Sequence, residues 1–201
     1  MDVLKKELKK VPKKPFNGFQ LKRTLDFLME FGDKIHNKKE EDFLFPLMIK
    51  RGIPENGPIR VMLAEHEAER ALLQKMTEEV DQIGSALPED KNSFKQKGLD
   101  NLSIRAEHIW KENDVLYKMG AKVLSDDDRA GLVTAFEKLN QEHYGSDANE
   151  KFLKMLVEVE DGGEARKSLV HNLTYEQIHA IMESLPFEVT FVDADDVVAY
   201  F

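Results

Sequence analysis

The stretch His36-Asn37-Lys38-Lys39-Glu40-Glu41-Asp42-Phe43-Leu44-Phe45-Pro46 decides how this chain is read. It sets a histidine and a carboxylate four residues apart, so on a helix both stand on one face, one turn from each other. Extending that face gives Leu25, Met29, Gly32, His36, Glu40, Phe43 and Leu47, a stripe otherwise apolar or small. Two strong metal-ligand types are therefore expected on the side that the helix buries. One such pair arises by chance in any turn rich in lysine and glutamate; recurrence on other helices does not.

The pair recurs at His108-Ile109-Trp110-Lys111-Glu112, where Ile104, His108, Glu112, Val115 and Met119 share a face. Between the two lies Glu65-His66-Glu67-Ala68-Glu69-Arg70, with His66 on a face carrying Ile59, Met62 or Leu63, Leu73 and Val80. Three predicted helices each turn a histidine inward, and two add a glutamate one turn later. Imidazole and carboxylate together suit iron, and Glu and His on facing helices are how four-helix bundles build two-iron centres. Without a cation, glutamates on buried faces would be costly to desolvate. The candidate metal ligands are His36, Glu40, His66, His108 and Glu112. His143, His171 and His179 lack a carboxylate partner at this spacing and are expected on the surface. Arg70 reads as a solvated helix arginine or, alternatively, as a partner for a carboxylate in or beside the ligand set, and Trp110, Met62, Met76 and Met119 read as packing residues.

At 201 residues and 23.1 kDa the chain can bury a real core, as one domain or one domain plus a fragment. With 33% charged and 41% hydrophobic residues the composition is globular, not disordered. A net charge of −9, from 29 basic and 38 acidic residues, disfavours nucleic acid as a partner. The absence of cysteine removes disulfides, thiolate zinc sites, cysteine-ligated iron–sulfur clusters and cysteine nucleophiles. No apolar run is long enough to span a bilayer and no secretory h-region opens the chain, so no membrane partner and a cytoplasmic location are expected.

Along the chain, residues 1–18 are lysine-rich and broken by Pro12 and Pro15, and are expected to be a mobile basic leader; the alternative is a short helix from Asp2 to Lys10 with Val3, Leu4 and Leu8 as its only apolar grip. The helical bundle is expected over 19–160. Its first long helix covers about 21–49, with Pro46 ending or kinking the last turn. After a loop, Pro58 suits the first turn of a helix reaching about residue 86. Leu87-Pro88-Glu89-Asp90 is expected to break it before a third helix over about 93–123, in which Gly98 is a weak point. Ser125 followed by three aspartates is an N-cap for a shorter helix to about residue 143, and another covers about 149–160. Residues 161–173 read as a linker. Thr174-Tyr175-Glu176-Gln177 is a capping-box pattern, residues 187–192 alternate as a strand, and residues 197–201 read as the start of a second strand. A lone hairpin is marginal in water, so this tail is expected to begin a further domain or to pair with another chain.

The stretch at 36–46, together with Gly57-Pro58-Ile59-Arg60-Val61-Met62-Leu63-Ala64-Glu65-His66-Glu67 and His108-Ile109-Trp110-Lys111-Glu112-Asn113-Asp114-Val115-Leu116, closely resembles a hemerythrin-like (HHE cation-binding) domain over roughly residues 20–158. That resemblance implies a mainly α fold, an antiparallel up-and-down bundle around a non-haem, oxo-bridged di-iron centre. It casts Glu40 and Glu112 as bridging ligands, His36, His66 and His108 as terminal ones, and Glu41 or Glu65 as extras. Two features depart from the family pattern. No histidine precedes His36, so the first helix and its ligand are missing, and Arg70 stands where His-x-x-x-His is usual. Residues 1–18, the segment near His179, a second protomer or a longer parent chain are the candidates for the missing wall.

Leu185-Pro186-Phe187-Glu188-Val189-Thr190-Phe191-Val192-Asp193-Ala194-Asp195-Asp196 resembles the opening strands of a PAS domain, so 174–201 is expected to be an incomplete PAS-like start. Together the resemblances imply an iron-binding sensory or regulatory module, responding to oxygen, nitric oxide or iron. Its expected partners are dioxygen or nitric oxide and a second protomer or downstream signalling domain. The alternatives are an oxygen carrier or redox di-iron protein (a peroxidase or iron-centre repair protein), and a metal-free helical scaffold.

Overall fold

The computed structural model describes residues 2–12, 18–160, 191–192 and 198–199. The chain divides into two units, Met1–Gly163 and Glu164–Phe201. The first unit is all helical among its described residues.

It opens with α1 (Asp2–Lys10), where a basic leader was expected. Leu4, Leu8 and Val11 fall at helical spacing and are fully buried, while Lys5, Lys6 and Lys9 face solvent. The lysines thus line the wet side of an amphipathic helix. Asp2 in its first turn and Lys9 and Lys10 in its last complement the helix dipole. Burying each leucine contributes about 1.5–3 kcal/mol, which anchors the segment. Gly98, expected as a weak point of the third long helix, is what lets α1 approach. A Cβ at Gly98 would stand 2.5 Å from Leu8 Cδ1.

The next rod is helical without interruption from residue 18 to residue 50. It comprises α2 (Gly18–Phe27), the π-helical segments Leu28–Asn37 and Glu40–Leu44, and α3 (Phe45–Lys50). Pro46 does not end this rod. It occupies the first turn of α3, where a missing N–H costs least after the change from π to α geometry. A second rod is α4 (Arg60–Glu79), and residues beyond it turn rather than continue to 86. A third comprises α5 (Pro88–Lys111), the π turn Glu112–Leu116 and α6 (Tyr117–Val123). Pro88 opens α5 instead of breaking a helix, with Glu89 and Asp90 in the first turn.

Two apolar layers hold these rods together. One joins α1 to Leu21, Leu25, Leu73, Met76 and Phe94; the other joins Phe45, Met48, Ile59, Met62 and Leu116. The outer side of the first rod is covered by α7 (Asp126–Tyr144) and α8 (Ala148–Glu160). Phe43 meets Phe136 edge-on at 6.2 Å, and Phe31 meets Phe152 at 5.1 Å. Ser125 caps α7 as expected, in a reciprocal capping box with Asp128. Gly145, at φ 81°, turns the chain from α7 into α8.

In the second unit Phe191–Val192 pairs antiparallel with Val198–Ala199, Phe191 opposite Ala199. Two residues a side do not support the expected hairpin, and nothing else supports a PAS-like domain. The capping box at 174–177, His171, His179 and the linker at 161–173 lie outside the described residues. No helix among the described residues is long and apolar enough to cross a membrane.

Candidate metal centre

Between the two apolar layers the three rods face one another with polar side chains. Glu40 begins the π turn Glu40–Leu44, His66 lies in α4, His108 in the last turn of α5, and Glu112 begins the π turn Glu112–Leu116. These four are buried, and each offers a ligand atom lying within 4.8 Å of the others'. His66 Nε2 faces His108 Nε2 at 3.1 Å. His66 Nε2 is 3.4 Å from Glu40 Oε2, and His108 Nε2 is 3.2 Å from Glu112 Oε1. His36 reaches the group from the edge: its Nε2 is 3.4 Å from Glu112 Oε1 and 3.9 Å from Glu40 Oε2, and its side chain is 40% exposed. All five sequence candidates therefore converge, but not equally.

Glu41 and Glu65 occupy the far side of the imidazoles. His66 Nδ1 lies 2.8 Å from Glu41 Oε1, and His108 Nδ1 lies 3.1 Å from Glu65 Oε2. A carboxylate accepting from Nδ1 fixes the ring tautomer and turns the Nε2 lone pair inward. Their geometry is that of orienting groups, not of extra ligands. Each carries its own cation. Arg70 donates to Glu41 at 3.0 Å and, through Nε, to Asp33 at 2.8 and 2.9 Å; Lys111 donates to Glu65. Arg70 thus follows the alternative reading from sequence, an ion-pair partner of the centre's outer carboxylates, and not the favoured one of a solvated arginine.

These contacts move the titrations in opposite directions. The hydrogen bond with Glu112 raises the His36 pKa. Burial pushes the His108 pKa down, but Glu112 and Glu65 outweigh it and the net shift is upward. For Glu112 burial works upward, and the contacts with His108 and His36 overcome it, holding the carboxyl well below its usual range.

The residues fit a cation on two observations. Glu40 Oε2 is buried and accepts no hydrogen bond, a condition costing about 1–3 kcal/mol or more for a buried acceptor. The two Nε2 atoms face each other 3.1 Å apart, and nitrogen donors about 2.1 Å from one cation at a right angle stand roughly 3 Å apart. A mixed imidazole and carboxylate set of this kind suits iron and its neighbours in the first transition row.

Sequence reasoning missed Tyr117. Its hydroxyl donates to Glu40 Oε1 at 2.6 Å and lies 3.2 Å from Glu112 Oε1. Burial, then the Glu40 charge, pushes the phenol pKa far up, so the group is a neutral donor. A second omission is the ion pair of Arg105 with the buried Glu69 at 2.5 Å; the guanidinium lies over Gly32, where a Cβ would meet Arg105 Nη1 at 3.2 Å. Trp110, expected to pack, is 59% exposed because it points away from the histidine face of α5. Tyr144 bonds Glu30 on the α8 side, and His143 is exposed as expected.

The family model for the hemerythrin HHE cation-binding domain matches residues 2–120. No curated protein matches the chain significantly. The matched span covers more than half of the chain, starts at α1, includes the first two rods and runs into α6 of the third, taking in all the histidines and glutamates of the cluster. On that span and on this buried His/Glu cluster, the chain belongs to the hemerythrin HHE cation-binding domain family.

Proposed function

We propose that this chain is a non-haem iron-binding module in which His36, Glu40, His66, His108 and Glu112 hold a di-iron centre. We further propose that it acts as a sensory or regulatory part responding to oxygen, nitric oxide or iron level. One observation carries the reading: the inequality of the two sides of the centre. His66 and His108 are buried and oriented by Glu41 and Glu65, which favours one firmly held cation. His36 stands alone and partly exposed on the other side, with only the carboxylates to share a second cation. When bound, iron supplies open coordination positions and a change of oxidation state. The chain's own residues supply the donors and the tautomers, and the partly exposed His36 marks the edge from which a small ligand would approach. An ion held by one imidazole at a solvent edge exchanges with its surroundings, which suits response better than permanent storage.

The test is anaerobic reconstitution with ferrous iron, metal analysis, and Mössbauer spectra before and after exposure to oxygen or nitric oxide. The expected result is about two irons per chain, one lost to a chelator much faster than the other, with spectra that change on gas exposure without substrate turnover. Iron below one atom per chain would exclude the reading; sustained peroxide turnover would make the protein an enzyme instead.

A further inference from the structure

The two halves of the centre repeat a longer pattern than His-x-x-x-Glu. In the first rod it is His36, Glu40 and then Phe45; in the third it is His108, Glu112 and then Tyr117. In both, the glutamate begins a π turn, and the backbone N–H five residues on returns to the glutamate's carbonyl: Phe45 to Glu40 and Tyr117 to Glu112. In an α-helix a residue five positions on is rotated away from the first; the extra residue of a π turn brings it back over the same face. Each aromatic ring is thereby aimed at the centre. Phe45 uses its position to stack on His66, ring centroids 5.9 Å apart. Tyr117 uses the equivalent position to place a hydroxyl between the two carboxylates that come from different rods.

We propose that Tyr117 is a positioning residue of the cation centre: its hydroxyl holds the Glu40 carboxylate across from Glu112, presenting Glu40 Oε2 to the incoming cation. This rests on the reading of the cluster as a metal centre. The geometry has a specific consequence. With Oε1 held at 2.6 Å by Tyr117, the carboxylate of Glu40 cannot rotate freely, and its other oxygen is the one left buried without a hydrogen-bond donor. Two neighbouring carboxylates also repel, and a shared hydroxyl offsets that repulsion before any cation arrives. Tyr117 thus does for the oxygen donors what Glu41 and Glu65 do for the nitrogens: it fixes orientation from behind. Phe45 shows that a plain phenyl ring is accommodated at the equivalent place, so Tyr117→Phe removes the hydroxyl alone.

The experiment is a Co2+ titration of the full chain and of Tyr117→Phe and Tyr117→Leu, with Kd from calorimetry, coordination read from the d–d absorption of the loaded protein, and helix content from circular dichroism. Tyr117→Phe is expected to weaken Co2+ binding about tenfold and to shift the d–d bands, with helix content unchanged. Tyr117→Leu is expected to be no weaker than Tyr117→Phe, because the hydroxyl and not the ring does the work. Binding by Tyr117→Phe within twofold of the parent overturns the proposal, as does unchanged d–d absorption or a loss confined to Tyr117→Leu. A parent chain that takes up no Co2+ overturns the metal centre itself and the role of Tyr117 with it.

Discussion

The layer around α1 and the layer around the histidines are built from the same three rods, yet they solve opposite problems. Around α1 a fourth helix closes the bundle, and Leu4, Leu8, Leu21, Leu25, Leu73 and Phe94 fill it with apolar side chains, Glu7 of α1 being buried as well. At the histidine layer the buried groups are two imidazoles and two carboxylates, and His36 lies at a partly open edge. The comparison teaches that the short first helix supplies cohesion and no ligand. Stability and cation binding should therefore separate by position, even though neighbouring stretches of the same helices carry both.

The sharpest way to break that separation is Leu8→Ala. Loss of a fully buried leucine is expected to cost about 2–5 kcal/mol in urea unfolding of the cation-free protein, while cation affinity stays within about twofold. A large affinity loss would mean that α1 shapes the centre directly. The reciprocal change, Glu112→Ala, is expected to lower cation affinity by at least about 100-fold, roughly 2.7 kcal/mol, and Glu40→Ala should do likewise. His143→Ala, at an exposed position, should leave affinity unchanged in the same titration. Equal metal content in all three variants would contradict the assignment.

Gly98→Ala probes the contact of the two layers' shared helix with α1. The new Cβ must displace Leu8, at an expected cost of about 1–3 kcal/mol by thermal or urea unfolding.

Acidity should distinguish the layers as well. In the cation-free protein, the raised pKa values of His36 and His108 give stability that is complete below the unfolded value of 6.5 and is lost as pH rises through the folded values. The depressed Glu112 carboxyl gives stability that is present above 4.5 and is lost as pH falls through its folded value. The melting temperature of the cation-free chain is thus expected to peak between those two values. Cation binding needs the imidazoles deprotonated, so loaded protein should instead gain stability as pH rises past the histidine range. Parallel pH profiles for the two forms would break the account of the histidine layer. The smallest effect expected is at Trp110→Ala, within about 0.5 kcal/mol in unfolding, because its ring is largely in water.

Much of the centre was legible because its donors follow α-helical spacing on apolar faces: His36 to Glu40, His108 to Glu112, and His66 on the stripe of Met62 and Leu73. The roles of Glu41 and Glu65 were not, since a carboxylate adjacent to a ligand and one behind it look alike until distances are known. Tyr117 was invisible for a different reason. Its five-residue offset from Glu112 has meaning only in a π turn, and the matching spacing of Glu40 and Phe45 does not by itself reveal that geometry. The first helix was legible only as the lesser alternative: Leu4 and Leu8 point to it, but the lysines and the prolines at 12 and 15 favoured a mobile leader. Pro46 and Pro88 were misjudged as stops because a proline in a first turn and one at a last turn are the same letter.

Anomalous diffraction at the iron edge, from crystals of anaerobically reconstituted protein, tests the central claim most directly. The account expects one strong peak within bonding distance of His66 Nε2 and His108 Nε2, flanked by Glu40 and Glu112, and a weaker peak beside His36. No peak among these side chains, or iron bound only elsewhere on the chain, would contradict it.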